Sequence, residues 1–428
     1  MAKRRRPVSL GTYIMLVLTI LTVGMGVWVF TRIAGNIDDI HIDTAALIGA
    51  LVSTQNPNAT EQVAQLPDAT PIPSPTPTPI PLGKTVTISV GGQIWLDSTL
   101  RKSGAQDDGM FYYDDVFGAI TPYMNKADVT MVTLESTVTS AGSYDTYRAP
   151  SAILNSLKNA GVDIINLATE HIFDYGKDGL ANTRASAEQL GFSVTGANRS
   201  AEEQALPLTF EVNGIKIAVL SYTYGLSTAG SKQGTKDDRA IAVGTMDADL
   251  IRGNVRSARE QGANLVIVNL HWGKQANTKP NAEQTALVDA IVDCGVDAIL
   301  GTHPTYVHTM EKRNVNCIDG VNRNVFIAYS LGDFLTNERN ESNQIIGTLL
   351  NLQFTLDNGS SAVRLTDASY MPTWQMRWQE DKYYFRVLPA GTTSQPSEMT
   401  NTVYRNMRRA YEDNLKKLGS DAARPIEE

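Results

Sequence analysis

The pattern of apolar and polar positions predicts alternating strands and helices in this chain. Residues 265–268 and 298–300 are short, β-branched apolar runs, and each ends in polar residues that include a histidine. Apolar side chains recur at helical spacing between them. The pattern therefore predicts a strand, a helix and a parallel strand, since a crossover of this length joins parallel strands. His271 and His303 then lie at the same edge of one sheet, where open α/β sheets bind ligands.

The same alternation extends over residues 84–395. Strands are predicted at 85–90, 128–134, 162–168, 192–194, 208–212, 215–222, 325–331, 347–356, 362–371 and 383–388. Helices are predicted at 151–160, 180–190, 249–261 and 397–418. Asn213-Gly214 indicates a tight hairpin. Parallel strand–helix–strand units mixed with hairpins predict an α/β domain of two sheets flanked by helices.

The first 30 residues predict a membrane anchor. Residues 1–11 form a basic tail with four cations, and residues 12–30 carry no charge. As a helix, the uncharged run spans roughly 28 Å, close to the hydrocarbon thickness of a bilayer. The cations hold the N-terminus in the cytoplasm, so the C-terminal domain is expected outside the cell. A cleaved signal peptide is the alternative, with residues 33–35 as its cleavage site.

A linker follows the predicted anchor. Residues 31–65 are mixed in composition and are expected to form a solvated stalk. Residues 66–82 are rich in proline, threonine and serine, a composition that favours extended polyproline II. This semi-rigid spacer lifts the domain at 84–395 off the membrane, and residues 396–428 form a C-terminal helix and tail.

Charge and cysteine content narrow the function classes. The net charge of −8 argues against nucleic acid as a partner, since a phosphate backbone needs a basic surface. The only cysteines are Cys294 and Cys317, and no cysteine–histidine cluster has the spacing of a structural zinc site. A disulfide between them and two buried free thiols both remain open.

Polar residues end six of the predicted strands: Gln93, Glu135, Glu170-His171, His271, His303 and Asp333. Imidazoles and a carboxylate that converge on one crevice make a minimal divalent-metal site. Such a metal lowers the pKa of bound water and polarises a phosphoryl or carbonyl oxygen. The competing interpretation is a set of hydrogen-bonded structural side chains. No serine-hydrolase elbow or phosphate-binding loop is present.

The motifs, in their order, resemble the CapA / poly-γ-glutamate capsule-synthesis family. They are VGGQIWLD, ADVTMVTLEST, GVDIINLATEHIFDYGKDGL, TGANRSAEEQALP, GIKIAVLSYTYG, VNLHWGKQ, CGVDAILGTHPTYVHTMEK, IAYSLGDFL and YMPTW. The resemblance runs from about residue 84 to 389. It implies a calcineurin-like metallophosphoesterase fold, a helix-flanked double sheet. It also implies an N-terminal membrane anchor and a role in making, exporting or anchoring capsular poly-γ-glutamate.

Several motif residues of the family are replaced in this sequence. Gln93 stands where the family has aspartate, Thr305 where it has histidine, and Glu170 where it has asparagine. The first two changes remove an anionic ligand and an imidazole, and Glu170 adds a negative charge. Two interpretations follow: one divalent metal (Mn, Fe or Zn) is still held, or the site is degenerate and holds none.

Residue roles are carried over position by position. The expected metal ligands are Glu135, His271 and His303. The expected catalytic residues are His171, Glu170 and Asp333. The expected substrate contacts are Gln93, Thr133, Thr169 and Thr305.

Three functions remain open from the sequence. The first is a membrane-anchored, extracellular protein of capsule, poly-γ-glutamate or other surface-polymer biosynthesis. It would have the polymer or its synthesis machinery as partner and no nucleic acid. The second is a non-catalytic surface module that binds a polymer or a partner protein. The third is a metal-dependent phosphoesterase acting on nucleotides or lipid-linked phosphates.

Overall fold

The computed structural model describes residues 83–140, 142–418 and 421–426. The expected basic tail, membrane helix, stalk and proline-rich linker lie outside the described residues. Within the described residues, no helix is long and apolar enough to cross a bilayer.

The strands, in chain order, have the following bounds: β1 Lys84–Ile94, β2 Val129–Leu134, β3 Thr137–Thr139, β4 Arg148–Pro150, β5 Ile164–Asn166, β6 Ser193–Thr195, β7 Leu208–Val212, β8 Ile215–Thr223, β9 Gly244–Thr245, β10 Leu265–His271, β11 Ala298–Thr302, β12 Met310–Asn316, β13 Asn322–Ala328, β14 Asp333–Leu335, β15 Ile346–Leu356, β16 Arg364–Gln379, β17 Tyr383–Pro389 and β18 Arg424–Pro425.

The helices have the following bounds: α1 Ser98–Ser103, α2 Asp114–Phe117, α3 Thr121–Met124, α4 Ala152–Asn159, α5 Gly176–Gln189, α6 Ala201–Gln204, α7 Lys236–Ala242, α8 Ala248–Glu260, α9 Ala282–Ile291 and α10 Asn401–Leu418. Short 3-10 turns lie at Gly230–Lys232 and Ser342–Gln344.

Two large mixed sheets form the domain, as the apolar pattern predicts. The first sheet has the order β17-β16-β15-β1-β2-β5-β6, with β14 beside β1 and β18 beside β16. The second has the order β12-β13-β11-β10-β8-β7, with β9 beside β8. β10 and β11 are parallel and joined through α9, and β7 and β8 form the hairpin at Asn213-Gly214.

The apolar residues form three main layers. Inward-facing side chains of both sheets, such as Ile88, Leu350 and Ile267, pack together as the central layer. Helices α4 and α5 cover the outer face of the first sheet, and α8 and α9 cover that of the second. The predicted C-terminal helix docks, since Met407 and Ala410 of α10 pack with Trp374.

Strand register places the polar ends of the first sheet in one row. Gln93 lies opposite Thr133 on one side and Asp333 on the other. The preceding Gly92 permits this arrangement, because a Cβ there would lie 2.0 Å from the carbonyl oxygen of Gly332. In the second sheet, His271 lies beside Thr302. Cys294 and Cys317 are both buried and free.

Candidate functional site

Five of the expected site residues meet in one buried crevice at the strand ends. Glu170, His271 and His303 place one ligand atom each within 4.8 Å of one another, and so do Glu135, Glu170 and His171. Glu170 belongs to both groups. The two sheets thus contribute different chemistry, because both carboxylates come from the first sheet and its loops while His271 and His303 come from the second.

Glu170 is the centre of the crevice. Its carboxylate is hydrogen-bonded to Nε2 of His271, and Nδ1 of His303 lies 3.3 Å from it. Nδ1 of His271 is 3.1 Å from the hydroxyl of Thr302. His303 has a φ of +89°, a conformation that costs energy for any residue except glycine. The backbone is therefore strained at a position where the side chain contacts the crevice.

His171 is held from three sides. Its Nδ1 lies 2.7 Å from Oδ2 of Asp174, which fixes the imidazole so that Nε2 lies 3.7 Å from both Glu135 and Glu170. The ring of Tyr147 stacks on the imidazole with centroids 3.3 Å apart. This arrangement directs Nε2 of the imidazole towards the two carboxylates of the crevice.

The expected substrate contacts are largely engaged with protein. The amide of Gln93 donates to Glu135, and the hydroxyl of Thr133 accepts a hydrogen bond from Asn166 at 3.0 Å. The hydrogen bond of Thr305 is to Gln344, outside the cluster. The hydroxyl of Thr169, fully buried, has no hydrogen-bond partner in the described part of the chain.

Asp333, expected to be catalytic, lies beside Gln93 in the strand register. Its Oδ2 accepts a hydrogen bond from Thr336 at 3.0 Å, and its Oδ1 has no partner among the described residues. The side-chain oxygen of Gln93 is also buried, and it too has no partner in the described part of the chain. The row therefore holds polar oxygens that the described residues leave without a hydrogen bond.

Burial and like charges set the electrostatics of the acids. Burial, together with the charges of Glu170 and Asp333, raises the pKa of Glu135 well above its usual range. Burial and the charge of Glu338 raise the pKa of Asp333 in the same way. Burial acts on Glu170 too, but the neighbouring imidazoles more than offset it and hold the pKa of Glu170 below its usual range.

The chemistry of the crevice fits a divalent cation. Glu135 and Glu170 are 5 % and 6 % exposed, and among the described residues no lysine or arginine pairs with either. Burial, with the charge of His271, lowers the pKa of His303 to about 4, so its ring is neutral at pH 7 and has a lone pair to donate. Neutral imidazoles and buried carboxylates are the ligand types of Zn, Fe and Mn sites.

Three residues of the crevice were not recognised from the sequence. Asp174 orients His171, Tyr147 covers it, and the ring of Tyr224 lies with its centroid 5.0 Å from that of His303. All three lie on loops whose polar composition resembles any solvated loop. The spacing of His171 and Asp174, three residues apart, was the one local signal for such a pair.

Two curated relatives are each similar to about half of the chain. The capsule biosynthesis protein CapA of Bacillus anthracis is 28% identical over 236 residues, which are 53% of this chain and 54% of that protein. The PGA biosynthesis protein CapA of Bacillus subtilis (strain 168) is 25% identical over 232 residues, 53% of this chain and 57% of that protein. The chain spans about half the length of the curated relatives it matches.

Solved structures give a distant likeness. The calcineurin-like phosphoesterase YfkN from Bacillus subtilis has a TM-score of 0.40 and 13% identity, covering 77% of this chain and 99% of that chain. Similarity at this level carries no argument about the present chain. The family described as bacterial capsule synthesis protein PGA_cap, by contrast, matches residues 87–338, which is more than half of the sequence. The chain therefore belongs to the PGA_cap family of bacterial capsule synthesis proteins.

Proposed function

We propose that this chain acts in the biosynthesis of capsular poly-γ-glutamate or another bacterial surface polymer. Membership of the PGA_cap family and the names of its two CapA relatives support this role. The proposal includes a membrane anchor at residues 12–30, with the folded domain outside the cytoplasm. The uncharged run behind four cations supports that orientation.

The crevice holds one divalent cation, Mn, Fe or Zn, in this proposal. Glu170, His271 and His303 are the ligands, with Glu135 beside them. The observation that carries the proposal is a pair of buried carboxylates with imidazoles but without a lysine or arginine partner in the described residues. Burying such carboxylates without a cation costs several kcal/mol. A bound cation removes that cost.

A cation bound there would polarise a phosphoryl or carbonyl oxygen and lower the pKa of a bound water. His171 is positioned to move a proton in the same reaction. Asp174 accepts from its Nδ1, and the hydroxyl of Ser227 donates in turn to Asp174, so the ring has one orientation. Nε2 of His171 is then free to give a proton to a leaving group or take one from a nucleophile.

Metal analysis of the purified full-length chain, extracted in detergent, tests this function. We expect about one Mn, Fe or Zn per chain, lost in the double variant His271→Ala/His303→Ala. His308→Gln is the matched control, since His308 is equally buried but contacts the carbonyl of Asn277 instead of the carboxylates. The proposal fails if the wild-type chain is metal-free, or if the double variant keeps its metal.

The anchor and its orientation are tested separately. A reporter enzyme that is active only outside the cytoplasm, fused after residue 428, is expected to be active and to sediment with membranes. Replacement of Val17 and Val23 by arginine is expected to release the fusion from the membrane fraction, since each charge is costly in the hydrocarbon core. An inactive reporter or a soluble wild-type fusion would contradict the anchor.

A non-catalytic binding module is the second candidate, and one observation favours it. The side chain of Gln93 is a neutral amide that donates to Glu135, in the place where the family has an aspartate. The variant Gln93→Asp/Thr305→His restores the family residues. If the wild-type chain is metal-free and this variant gains a cation, the native crevice is a degenerate site. Turnover of a generic phosphoester by the native chain would instead indicate a phosphoesterase.

A further inference from the structure

We propose that a groove outside the crevice binds a neutral glycan strand. The groove consists of three cavities of about 540, 340 and 510 Å³. We call it the aromatic groove and define it by Phe111, Tyr112, Tyr144, Trp378 and Tyr384. The inference rests on the proposed role in surface-polymer biosynthesis and names the class of polymer that the domain holds.

The three cavities are neighbours that share lining residues. Tyr112 and Asp114 line both the first and the second cavity, and Trp378 lines both the second and the third. The loop before α2 and the hairpin of β16 and β17 form the walls. Neighbouring cavities of this kind suit an extended chain of repeating units better than one compact small molecule.

The groove presents aromatic surfaces to a ligand. Phe111 lies edge-on to Tyr144, with ring centroids 5.3 Å apart. Trp378 and Tyr384 stack at 5.4 Å, and Arg386 and Lys382 lie over these two rings, so this pair contributes ring edges to the groove. Tyr112, between two of the cavities, is 57% exposed. An aromatic ring has a negative face, which attracts the polarised C–H bonds on the face of a sugar ring. The exposed ring of Tyr112 is therefore well suited to sugar stacking.

The charges of the groove disfavour a polyanion. Its lining has the acids Asp114, Asp115, Glu380 and Glu398 and the cations Arg377 and Lys382. Glu398 is paired with Arg386 at 3.2 Å, which leaves an excess of one negative charge. Both cations are engaged. Arg377 donates to Asn337 at 2.8 Å, and Lys382 donates to the carbonyl of Ala105 and lies over Tyr384. Carboxylates accept hydrogen bonds from sugar hydroxyls but repel carboxylates of a polymer such as poly-γ-glutamate.

One loop connects the aromatic groove with the crevice. Tyr144 lines the first cavity, and Tyr147 in the same loop stacks on His171. Tyr147 is itself stacked on Trp95, with centroids 5.4 Å apart. A strand that fills the groove therefore contacts the loop that covers the proton-carrying imidazole.

Binding of the detergent-solubilised full-length chain to an array of neutral and acidic glycans, with poly-γ-glutamate on the same surface, tests the inference. We expect retention on neutral glycans, with hexasaccharides bound at least tenfold more tightly than disaccharides because they occupy more than one cavity. Tyr112→Ala is expected to weaken binding about twofold to twelvefold, since an aromatic contact is worth roughly 0.5–1.5 kcal/mol. Trp378→Ala is expected to act in the same direction.

Two controls separate this inference from the proposed function. Ile318→Ser removes an apolar side chain that is 60% exposed and lies outside the groove, and it should leave glycan binding unchanged. The double variant His271→Ala/His303→Ala should lose metal but keep glycan binding. If Trp378→Ala fails to fold by circular dichroism, Tyr112→Ala decides the question alone. Preference for poly-γ-glutamate or for a basic peptide in the groove, or no retention on any neutral glycan, overturns the inference.

Discussion

The buried carboxylates at the two ends of the parallel strands β10 and β11 have different partners. At the amino end, Asp297 is 3% exposed, lies 2.6 Å from Arg259 and accepts from the backbone of Val266 at 2.7 Å. Arg323 lies 3.2 Å away, close enough for an ion pair but without hydrogen-bond alignment. At the carboxyl end, the carboxylates meet imidazoles and have no lysine or arginine partner in the described residues. The acid at the amino end thus has basic partners, whereas the acids at the carboxyl end have none among the described residues.

The amino-end cluster gives the largest expected effect. Asp297→Ala leaves the guanidinium group of Arg259 without a carboxylate, whereas Arg323 keeps Asp319 at 2.7 Å. We therefore expect a loss of about 3 kcal/mol in the free energy of unfolding. Urea denaturation measures this loss. Asp289→Ala is the matched control, because Asp289 is exposed and pairs with Arg313 at 2.6 Å, a contact worth at most about 1 kcal/mol. Equal losses in the two variants would show that the buried Asp297 stabilises the chain no more than an exposed ion pair does.

The pH dependence of the free energy of unfolding is a second test, and it concerns a histidine beyond the carboxyl end of β11. His308 is fully buried, its Nε2 donates to the carbonyl of Asn277 at 2.8 Å, and burial lowers its pKa to about 4. The unfolded chain takes up this proton near pH 6.5, before the folded chain does. Stability is therefore complete above about pH 6.5 and falls as the pH drops towards 4, by up to roughly 3 kcal/mol. Urea titrations in chelator across this range measure the fall.

The variant His308→Gln isolates that contribution. Its side-chain amide keeps a donor for Asn277 but does not titrate, so the loss of stability towards pH 4 should be smaller. Some loss remains, because the pKa of His303 is also lowered to about 4 by burial and the charge of His271. An identical decline in the variant and the wild-type chain would show that His308 titrates normally.

The elements of the fold that the sequence predicts are those whose faces are uniformly apolar or whose turns are unambiguous. The parallel pair β10 and β11 is confirmed, and so is the hairpin at Asn213-Gly214, where φ values of 53° and 71° need residues tolerant of left-handed backbone. The strand β12 was missed because alternate residues of Met310–Asn316 are exposed and polar. Its strand conformation comes from pairing with β13, which single-sequence periodicity does not contain.

The candidate site, like the fold, has parts that the sequence predicts and parts that depend on tertiary packing. Strand-end positions brought His271 and His303 to the correct edge, because parallel strands end together. The contact of Glu170 with both imidazoles depends on how two separate sheets pack, and the sequence gives no spacing for it. Tyr147 and Tyr224 come from loops whose course depends on tertiary contacts. The sequence therefore did not single out either tyrosine.

A neutral replacement at the carboxyl end should separate stability from binding. Glu135→Gln keeps the shape of the side chain and an acceptor for Gln93, and it removes a carboxylate whose pKa burial and neighbouring acids raise. We expect the metal-free variant to be as stable as the wild-type chain or more stable by about 1 kcal/mol, and its metal affinity to fall at least about tenfold. Chelator competition and urea denaturation measure the two quantities. Destabilisation on the scale of Asp297→Ala would mean that the two ends are alike.

The smallest expected effect tests whether the backbone at His303 is strained in order to place the imidazole in the crevice. Glycine tolerates a φ of +89° and alanine does not, so His303→Gly should be more stable than His303→Ala by about 1 kcal/mol. Both variants should lose the cation. Ala276→Gly is the control, since Ala276 is exposed with a φ of +61° and its replacement should stabilise the chain without changing metal content. If His303→Gly is the less stable of the pair at position 303, the backbone there is relaxed. The imidazole then occupies the crevice without conformational cost.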